Sequence, residues 1–465
     1  MGILRWLKGV VHNMFKTDAK KQFNTDIVIS DRMESEIKKW GNIISGTPLW
    51  VNKDEGIETI NFAKFMTSDI AKKICLDIDI NVSGSPRAEY LQETVNALKK
   101  VLRDKVEDAC SFGGIMFKPN GNSDINNCID YIMTTDFLVT AANSNGDILG
   151  AIFFDYAVKG EKYYTRMEWQ RFEDNKYRIS NKAFKSDRED ILGKEVSLNS
   201  IQEWENIQPE VSIDNVEKTL FAYYKMPYNN NIDFSSPLGV SVFANAIKEL
   251  RDIDVAWSRK SEEVEDSRHI TFIDQTTIEL AKNRDIKLPR FVKGVDMGVT
   301  ENNTIHEHVA TMLTDERIKD INSNLNMLAT KAGFSQGTWV LDGHTGMMTA
   351  TQVESDDRET IETIKDMRDN LKDALEHLIY ALSKYADIYG YAPGGKYETS
   401  YGFGDLTYNW EEDRARHWGY VQANKYPVWM YYMKFEGMSE DEAKKCITEA
   451  QNELPDERDN LFGKE

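Results

Sequence analysis

The chain has few cysteines, no long apolar run and no excess of positive charge. Its four cysteines among 465 residues lack Cys-x-x-Cys spacing, which indicates buried apolar roles in a reducing compartment. No apolar run approaches the roughly 18 residues of a membrane span, so we expect no membrane association through a spanning helix. The net charge of −20 argues against wrapping nucleic acid with a basic surface. These absences favour a folded protein of the cytoplasm.

The motifs of common enzyme classes are also missing. The sequence has no G-x-x-x-x-G-K-[ST] phosphate-binding loop and no Gly-x-Ser-x-Gly nucleophile elbow. It also has no motif typical of a catalytic Cys–His pair. In "HEHVA" (residues 306–310) the second histidine comes two residues too early for a helical zinc pair, which favours a surface loop. In "ESDDRET" (residues 354–360) adjacent acids point in different directions, which favours a solvated first helical turn over a two-metal site at Asp356 and Asp357. We therefore expect no catalytic centre, no metal site and no cofactor.

The first half of the chain has a mixed α+β pattern. Residues 1–16 show an apolar helical face, and an arm that packs on a partner is favoured over binding to a membrane surface. Within residues 17–235, two helical patterns, "SEIKKWGNIISG" and "RAEYLQETVNALKKVLRDKVEDAC", precede short aromatic and β-branched runs. Asn-Gly and Lys-Gly turns separate these runs, as is typical of an antiparallel meander.

From Ser236 onward the pattern becomes helical. Ser236 suits an N-cap and Pro237 the first helical position, which predicts a helix over residues 236–268. A second helix is predicted over residues 314–333, and residues 269–313 form a small mixed α/β insert between the two. The apolar stripes that we expect to pack these helices, within a chain and between chains, are Val240, Phe243, Ile247, Leu250, Trp257, Ile318, Ile321, Leu325 and Leu328.

A nearly uncharged stretch then precedes a long helix. Residues 334–349, "FSQGTWVLDGHTGMMT", contain no Lys or Arg and read as a flexible loop. Residues 350–388 carry apolar side chains every three or four positions, which predicts a long helix packed along another helix. A short strand segment is expected over residues 389–409, and a helical tail over residues 410–465 with Ser439 and Glu442 as a capping box.

This order of elements resembles the portal proteins of tailed bacteriophages, in the class found in phages and prophages of Gram-positive bacteria. The resemblance extends over more than 400 residues. The segments that carry it, in order, are "IKKWGNIISGTPLW", "YYTRMEWQRFEDNKYRISNKAF", "YYKMPYNNNIDFSSPLGVSVF", "TATQVESDDRETIETIKD" and "YGFGDLTYNWEED". In that family the parts are called wing (17–235), stem (236–268 and 314–333), clip (269–313), tunnel loop (334–349) and crown (410–465).

The resemblance implies a homododecameric ring at one capsid vertex, with a channel for double-stranded DNA and no sequence specificity. The implied partners are other copies of the chain, the terminase large subunit, head-tail adaptor proteins, and the major capsid and scaffold proteins. The implied location is the virion, and the host cytoplasm during assembly. An acidic helical scaffold or neck adaptor is the main alternative, and a metal-dependent phage hydrolase a distant one.

Two sets of residues follow from the resemblance. The tunnel loop is expected to face DNA through Gly337, Thr338, Trp339, Asp342, Gly343, His344, Thr345 and Gly346. For Trp339, an alternative is a plain anchor that packs the loop onto the stem. The basic cluster Lys287, Arg290 and Lys293 is either ordinary exposed surface or a docking surface of the clip.

Overall fold

A computed structural model describes most of the chain in two compact units. The larger unit contains the described residues up to 341 together with 358–403, and the smaller unit contains residue 404 with 410–453. The described residues are 15–174, 176–266, 270–274, 278–279, 284, 292–295, 305–308, 313–341, 358–404 and 410–453.

The larger unit is an α+β assembly, as the sequence predicts. Its helices are α1 (residues 15–23), α2 (Asp31–Ile44), α3 (Phe62–Ile74), α4 (Pro86–Phe112), α5 (Ile247–Asp266), α6 (Thr314–Lys331) and α7 (Arg358–Tyr389). Its strands are β1 (Asp79–Ser83), β2 (Gly114–Pro119), β3 (Ile129–Met133), β4 (Phe137–Ala142), β5 (Ile148–Lys159), β6 (Lys162–Glu173), β7 (Lys176–Ser186), β8 (Lys194–Val196), β9 (Glu210–Ile213), β10 (Ala222–Lys225), β11 (Ile270–Asp274), β12 (Val292–Val295), β13 (Ile305–His308) and β14 (Glu398–Gly402).

The predicted meander is confirmed as a six-stranded antiparallel sheet. Its strands run in the order β4-β5-β6-β7-β8, and β9 also pairs with β7. The loop between β5 and β6 contains Gly160, whose φ of 63° suits the turn. Helix α1 packs on one face of the sheet through Phe15 and Ala19, which are fully buried. A second antiparallel sheet has the order β10-β2-β3.

Helix α7 lies at the centre of the larger unit. Its predicted apolar stripe is confirmed as buried from Ile364 to Tyr385. The expectation that it packs along one other helix is wrong, because it contacts strands β10 and β2 as well as helices α3 and α4. Arg368 of α7 donates to the backbone oxygens of Lys73 and Ile74, at the C-terminal end of α3 where carbonyls lack helical partners. The chain then returns through β14, which pairs antiparallel with β1.

The predicted start of the helix at Ser236 is wrong. Helix α5 begins at Ile247, residues 236–243 are not helical, and Ala244–Ala246 form a single 3-10 turn. The N–H of Val242 donates to the carbonyl of Cys110 at 3.1 Å, and Gly239 passes so close to Gly113 that a Cβ on either would clash with backbone. The segment thus satisfies carbonyls at the end of α4, and it cannot use the same N–H groups for a helix.

The insert between α5 and α6 contains a small mixed sheet. Strand β11 pairs parallel with β12 and antiparallel with β13. Residues 306–308 of "HEHVA" therefore belong to a strand, which corrects the expected surface loop.

The smaller unit consists of helices in its described part. They are α8 (Trp410–Gln422), α9 (Val428–Glu436) and α10 (Glu440–Glu453). The predicted capping box is confirmed: Ser439 N donates to Glu442 Oε2 at 2.9 Å and Glu442 N donates to Ser439 Oγ at 3.4 Å. Hydrogen bonds from Arg416 and Lys434 to Asp413 hold the pKa of this carboxyl well below its usual range and tie α8 to α9.

Candidate functional site: a helix hairpin and the base of its loop

Helices α5 and α6 form an antiparallel hairpin that is fastened at both ends by ion pairs. At one end Lys331 Nζ lies 2.7 Å from Glu249 Oε1. At the other end Glu263 accepts from Arg317 Nε at 3.2 Å and from the N–H of Leu313 at 2.6 Å. The chain leaves toward the 270–308 insert at the Glu263 end and toward residues 334–357 at the Lys331 end. These two segments are therefore attached to opposite ends of the hairpin.

Helix α5 is bound along its length to residues 50–60. The buried carboxyl of Asp254 accepts from the indole N–H of Trp50 at 2.8 Å and from the N–H of Ile60 at 3.1 Å. Four residues later, Ser258 Oγ accepts from the N–H of Glu58 at 3.0 Å. Burial raises the pKa of Asp254, and the two N–H donors oppose that rise only in part. These contacts hold the hairpin in a defined orientation relative to residues 50–60.

The predicted stem-packing residues are mostly buried within a single chain. The buried ones are Val240, Phe243, Leu250, Ile321, Leu325 and Leu328, and the half-buried ones are Ile247, Trp257 and Ile318. Val240 and Phe243 lie before α5 rather than on it. A neighbouring subunit is therefore not needed to cover those six side chains, which corrects the expectation that two helices alone leave the stripe exposed.

The first residues of the predicted tunnel loop are tied to both flanking helices. Asn322 and Asn326 of α6 accept from the N–H groups of Leu341 at 2.9 Å and Gly337 at 2.8 Å. Ser335 N donates to Thr360 Oγ1 of α7 at 3.0 Å, and Thr360 N donates back to Ser335 Oγ at 3.3 Å. These contacts define the loop base, residues 333–341 with their partners on α6 and α7.

Two glycines allow the turn that these bonds require. Gly333 has φ of 75° directly after α6, and Gly337 has φ of 89°. Both values lie in the left-handed region, where side chains other than glycine are strained. Thr338, which follows Gly337, donates from its hydroxyl to the backbone oxygen of Ser335 at 2.6 Å.

Trp339 is the anchor of the loop base. Its side chain is only 7% exposed, and its indole N–H donates to Asp69 Oδ2 of α3 at 2.9 Å. Its ring lies 5.0 Å from that of Phe334 and 6.3 Å, edge on, from that of Phe62. The expectation that Trp339 stands exposed near the loop tip is wrong, and the alternative of an anchor is correct. The packing partner is α3 rather than the stem.

The remaining predicted site residues fall largely outside the described part of the chain. Those of the loop are Asp342, Gly343, His344, Thr345 and Gly346, and those of the insert are Lys287 and Arg290. Lys293 lies in β12, in register with Phe272 of β11. Asp356 and Asp357 are also outside the described residues.

A buried ionic network joins the β10-β2-β3 sheet to the six-stranded sheet of the larger unit. Lys118 of β2 lies 3.4 Å from Glu168 of β6 and 3.2 Å from Asp130 of β3. Arg166 donates to Glu168 Oε2 at 2.9 Å. Burial acts to raise the pKa of Glu168, but Lys118 and Arg166 outweigh it and lower that pKa to about 2. The same carboxylates raise the pKa of Lys118 against the effect of burial. Glu168, Lys118 and Arg166 are thus charged at neutral pH.

An open groove lies where the N-terminal end of α5 meets α2. Leu49 stands at its rim and is 84% exposed, an unusual exposure for a leucine. The lining residues are Lys39, Asn42, Ile43, Leu49, Trp50, Ile247, Lys248 and Arg251. The groove therefore combines an apolar floor with positively charged walls.

Neither a metal cluster nor a membrane span is found where the structure can be read. Within the described ranges, no three His, Cys, Asp or Glu side chains come close enough together to hold a metal ion. None of the helices in those ranges is both long and apolar enough to cross a membrane.

Several contacts of the loop base were not predicted from the sequence. Asn322 and Asn326 do leave a local signal, because they lie four residues apart on one side of a helix. Asp69 leaves none, because 270 residues separate it from Trp339. No family model matches the chain, and no curated protein matches its sequence.

Proposed function

We propose that this chain is the subunit of a portal ring of a tailed phage or prophage. The ring would consist of twelve copies around a channel that passes double-stranded DNA during packaging and ejection. The observation that carries the proposal is the hairpin α5–α6, which bears a small separate sheet at one end and a fastened, nearly uncharged loop at the other. This combination is what the resemblance in the sequence implies for stem, clip and tunnel loop.

The loop base supports a role that combines firm attachment with a yielding tip. Five hydrogen bonds fasten residues 335–341 to α3, α6 and α7. The next segment, residues 342–349, contains two glycines, two threonines and no Lys or Arg. A segment of this composition offers no Lys or Arg side chain to phosphates. DNA that slides past it would meet little electrostatic drag.

The net negative charge of the chain favours passage of DNA through a channel over tight binding of DNA to the protein surface. A protein that neutralises many phosphates binds DNA strongly and releases counterions. A net charge of −20 per chain opposes such binding, so twelve copies around a channel would let a polyanion move.

The insert and the exposed surfaces are the proposed docking sites for the other partners. Terminase and the first adaptor would bind through the 269–313 insert and its basic cluster. Replacing Lys287, Arg290 and Lys293 together with Glu should weaken capture of both partners while the ring persists, because exposed charges contribute little to folding. Unchanged capture of both would make this cluster ordinary surface. Capsid and scaffold proteins would surround the assembled ring.

Native mass spectrometry of the purified chain tests the proposal. Twelve subunits of 53.5 kDa give a closed complex of about 640 kDa. We expect this species to dominate, with no ladder of larger sizes as the concentration rises. A protein that stays monomeric or dimeric at all concentrations would instead favour the scaffold or adaptor.

A further inference from the structure

The exposed side of α5 carries three positively charged residues, two of which, Lys248 and Arg251, also line the groove beside α2. Lys248, Arg251, Val255 and Arg259 recur at spacings of three and four residues, which aligns them on one face. Lys248, Arg251 and Arg259 are exposed. Lys248 pairs with Asp252 at 2.6 Å, but within the described part of the chain no carboxylate lies within 4 Å of Arg251 or Arg259. We call these four residues the α5 face.

The outward side of α6 is acidic and ends in an exposed methionine. Glu316, Asp320, Ser323 and Met327 follow each other at spacings of four, three and four residues, and all four are exposed. Met327 is 51% exposed, although four other apolar side chains of the same helix are fully buried. These four residues are the α6 face. A single chain therefore carries a basic face on one helix of the hairpin and an acidic face on the other.

The ion pairs at the two ends of the hairpin determine which residues of α5 and α6 are level, that is, lie at the same height along the hairpin. Fourteen residues separate Glu249 from Glu263 on α5, and fourteen separate Arg317 from Lys331 on α6. Counting inward from these pairs brings Asp320 level with Lys260, next to Arg259. The same counting brings Met327 level with Ile253, between Arg251 and Val255.

The geometry points to a second copy of this chain as the occupant, with its α6 face docked on the α5 face. This inference rests on the proposed function and names its subunit contact. Rotation about an axis parallel to the hairpin keeps levels unchanged, so Asp320 of the next copy would meet Arg259, and Met327 would reach Val255. The contact is head-to-tail, because each copy offers one face and receives on the other, and such contacts form a ring when the rotation between copies closes.

Charge complementarity is the argument for a copy of this chain rather than another protein. Two chains of net charge −20 repel each other at long range, so association requires a local region of opposite sign. Arg259 on the α5 face and Asp320 on the α6 face supply one such pair of opposite charges at matching levels. Complementary charges determine register and exclude wrong partners more than they add affinity.

Charge-reversal variants test the contact. Arg259→Asp and Asp320→Arg should each raise the concentration needed for half-assembly at least tenfold by native mass spectrometry. The double variant should assemble as the wild type does. An equimolar mixture of the two single variants should also assemble, because each mixed contact pairs opposite charges and copies alternate around an even-numbered ring. Lys100→Asp on α4 is a matched reversal at an exposed site away from both faces, and it should assemble normally.

The outcomes separate this contact from the proposed function. If the wild type forms rings and both single variants do so at the same concentration, the contact is wrong and the ring stands. If folded single variants fail but neither the double variant nor the mixture recovers, the pairing of these two residues is wrong. If the wild type itself forms no ring, the proposed function fails.

Discussion

Replacing Trp339 with phenylalanine or alanine should release the loop base without unfolding the larger unit. Trp339 is 7% exposed and makes two kinds of contact, the ring packing against Phe334 and Phe62 and the hydrogen bond to Asp69. Phenylalanine keeps most of the packing and removes the bond. Alanine removes both. The two variants therefore separate the contributions.

The magnitudes follow from the geometry. A hydrogen bond to a charged group contributes about 1.5–3 kcal/mol, and the lower end applies because Asp69 is also paired with Lys73 and is partly exposed. Trp339→Phe should thus cost about 1.5 kcal/mol, or roughly tenfold in the opening equilibrium. Trp339→Ala removes a buried indole, for which about 3 kcal/mol or more is typical, so we expect on the order of a hundredfold.

Hydrogen exchange measured by mass spectrometry on a peptide that covers residues 335–341 provides the assay. The N–H groups of Gly337 and Leu341 donate to Asn326 and Asn322, so their exchange reports opening of the loop base. Trp418→Phe, at a tryptophan that is 40% exposed in the smaller unit, is the matched control and should leave this peptide unchanged. Equal exchange of the peptide in wild type and Trp339→Ala would refute the role of Trp339 as anchor. An equal rise in exchange across the whole larger unit would show a global effect instead.

Three further perturbations have distinct expected results. Glu168→Gln should lower the free energy of unfolding by about 3–5 kcal/mol, because it leaves Lys118 buried without its main partner. Since the folded pKa of Glu168 is about 2, the wild type should lose this stabilisation as pH falls from about 5 toward 2. In urea titrations over this pH range, the free energy of unfolding of the variant should therefore depend less on pH than that of the wild type. Leu250→Asp should lower the Tm of the isolated chain by calorimetry, because Leu250 is 3% exposed within one chain, and an unchanged Tm would contradict that burial. Gly343→Val combined with Gly346→Val should allow rings to form and enter procapsids but stall packaging; full-length packaged DNA would show that mobility of the loop is irrelevant.

Local patterns in the sequence predicted the helices and strands in which apolar residues recur at a regular spacing. The buried stripe of α7 follows from apolar residues every three or four positions, and the strands β5 and β6 follow from aromatic runs on either side of the turn at Gly160. The capping box at Ser439 was also predictable, because its two partners are three residues apart.

The errors arise where distant residues decide the local conformation. Residues 236–243 carry apolar side chains at helical spacing, yet their backbone binds the end of α4, more than 120 residues earlier in the chain. Trp339 was expected to face DNA, because its partner Asp69 belongs to a distant element and leaves no signal in the local sequence. The levels of α5 and α6, from which the proposed subunit contact derives, depend on two ion pairs that no local pattern indicates.

Electron microscopy of the purified full chain directly tests whether the chain forms a portal ring. We expect closed rings of twelve subunits in top view, with a central hole that passes through the particle in side view. Particles without a hole, open filaments or only small globular particles at concentrations where the chain is folded would contradict it.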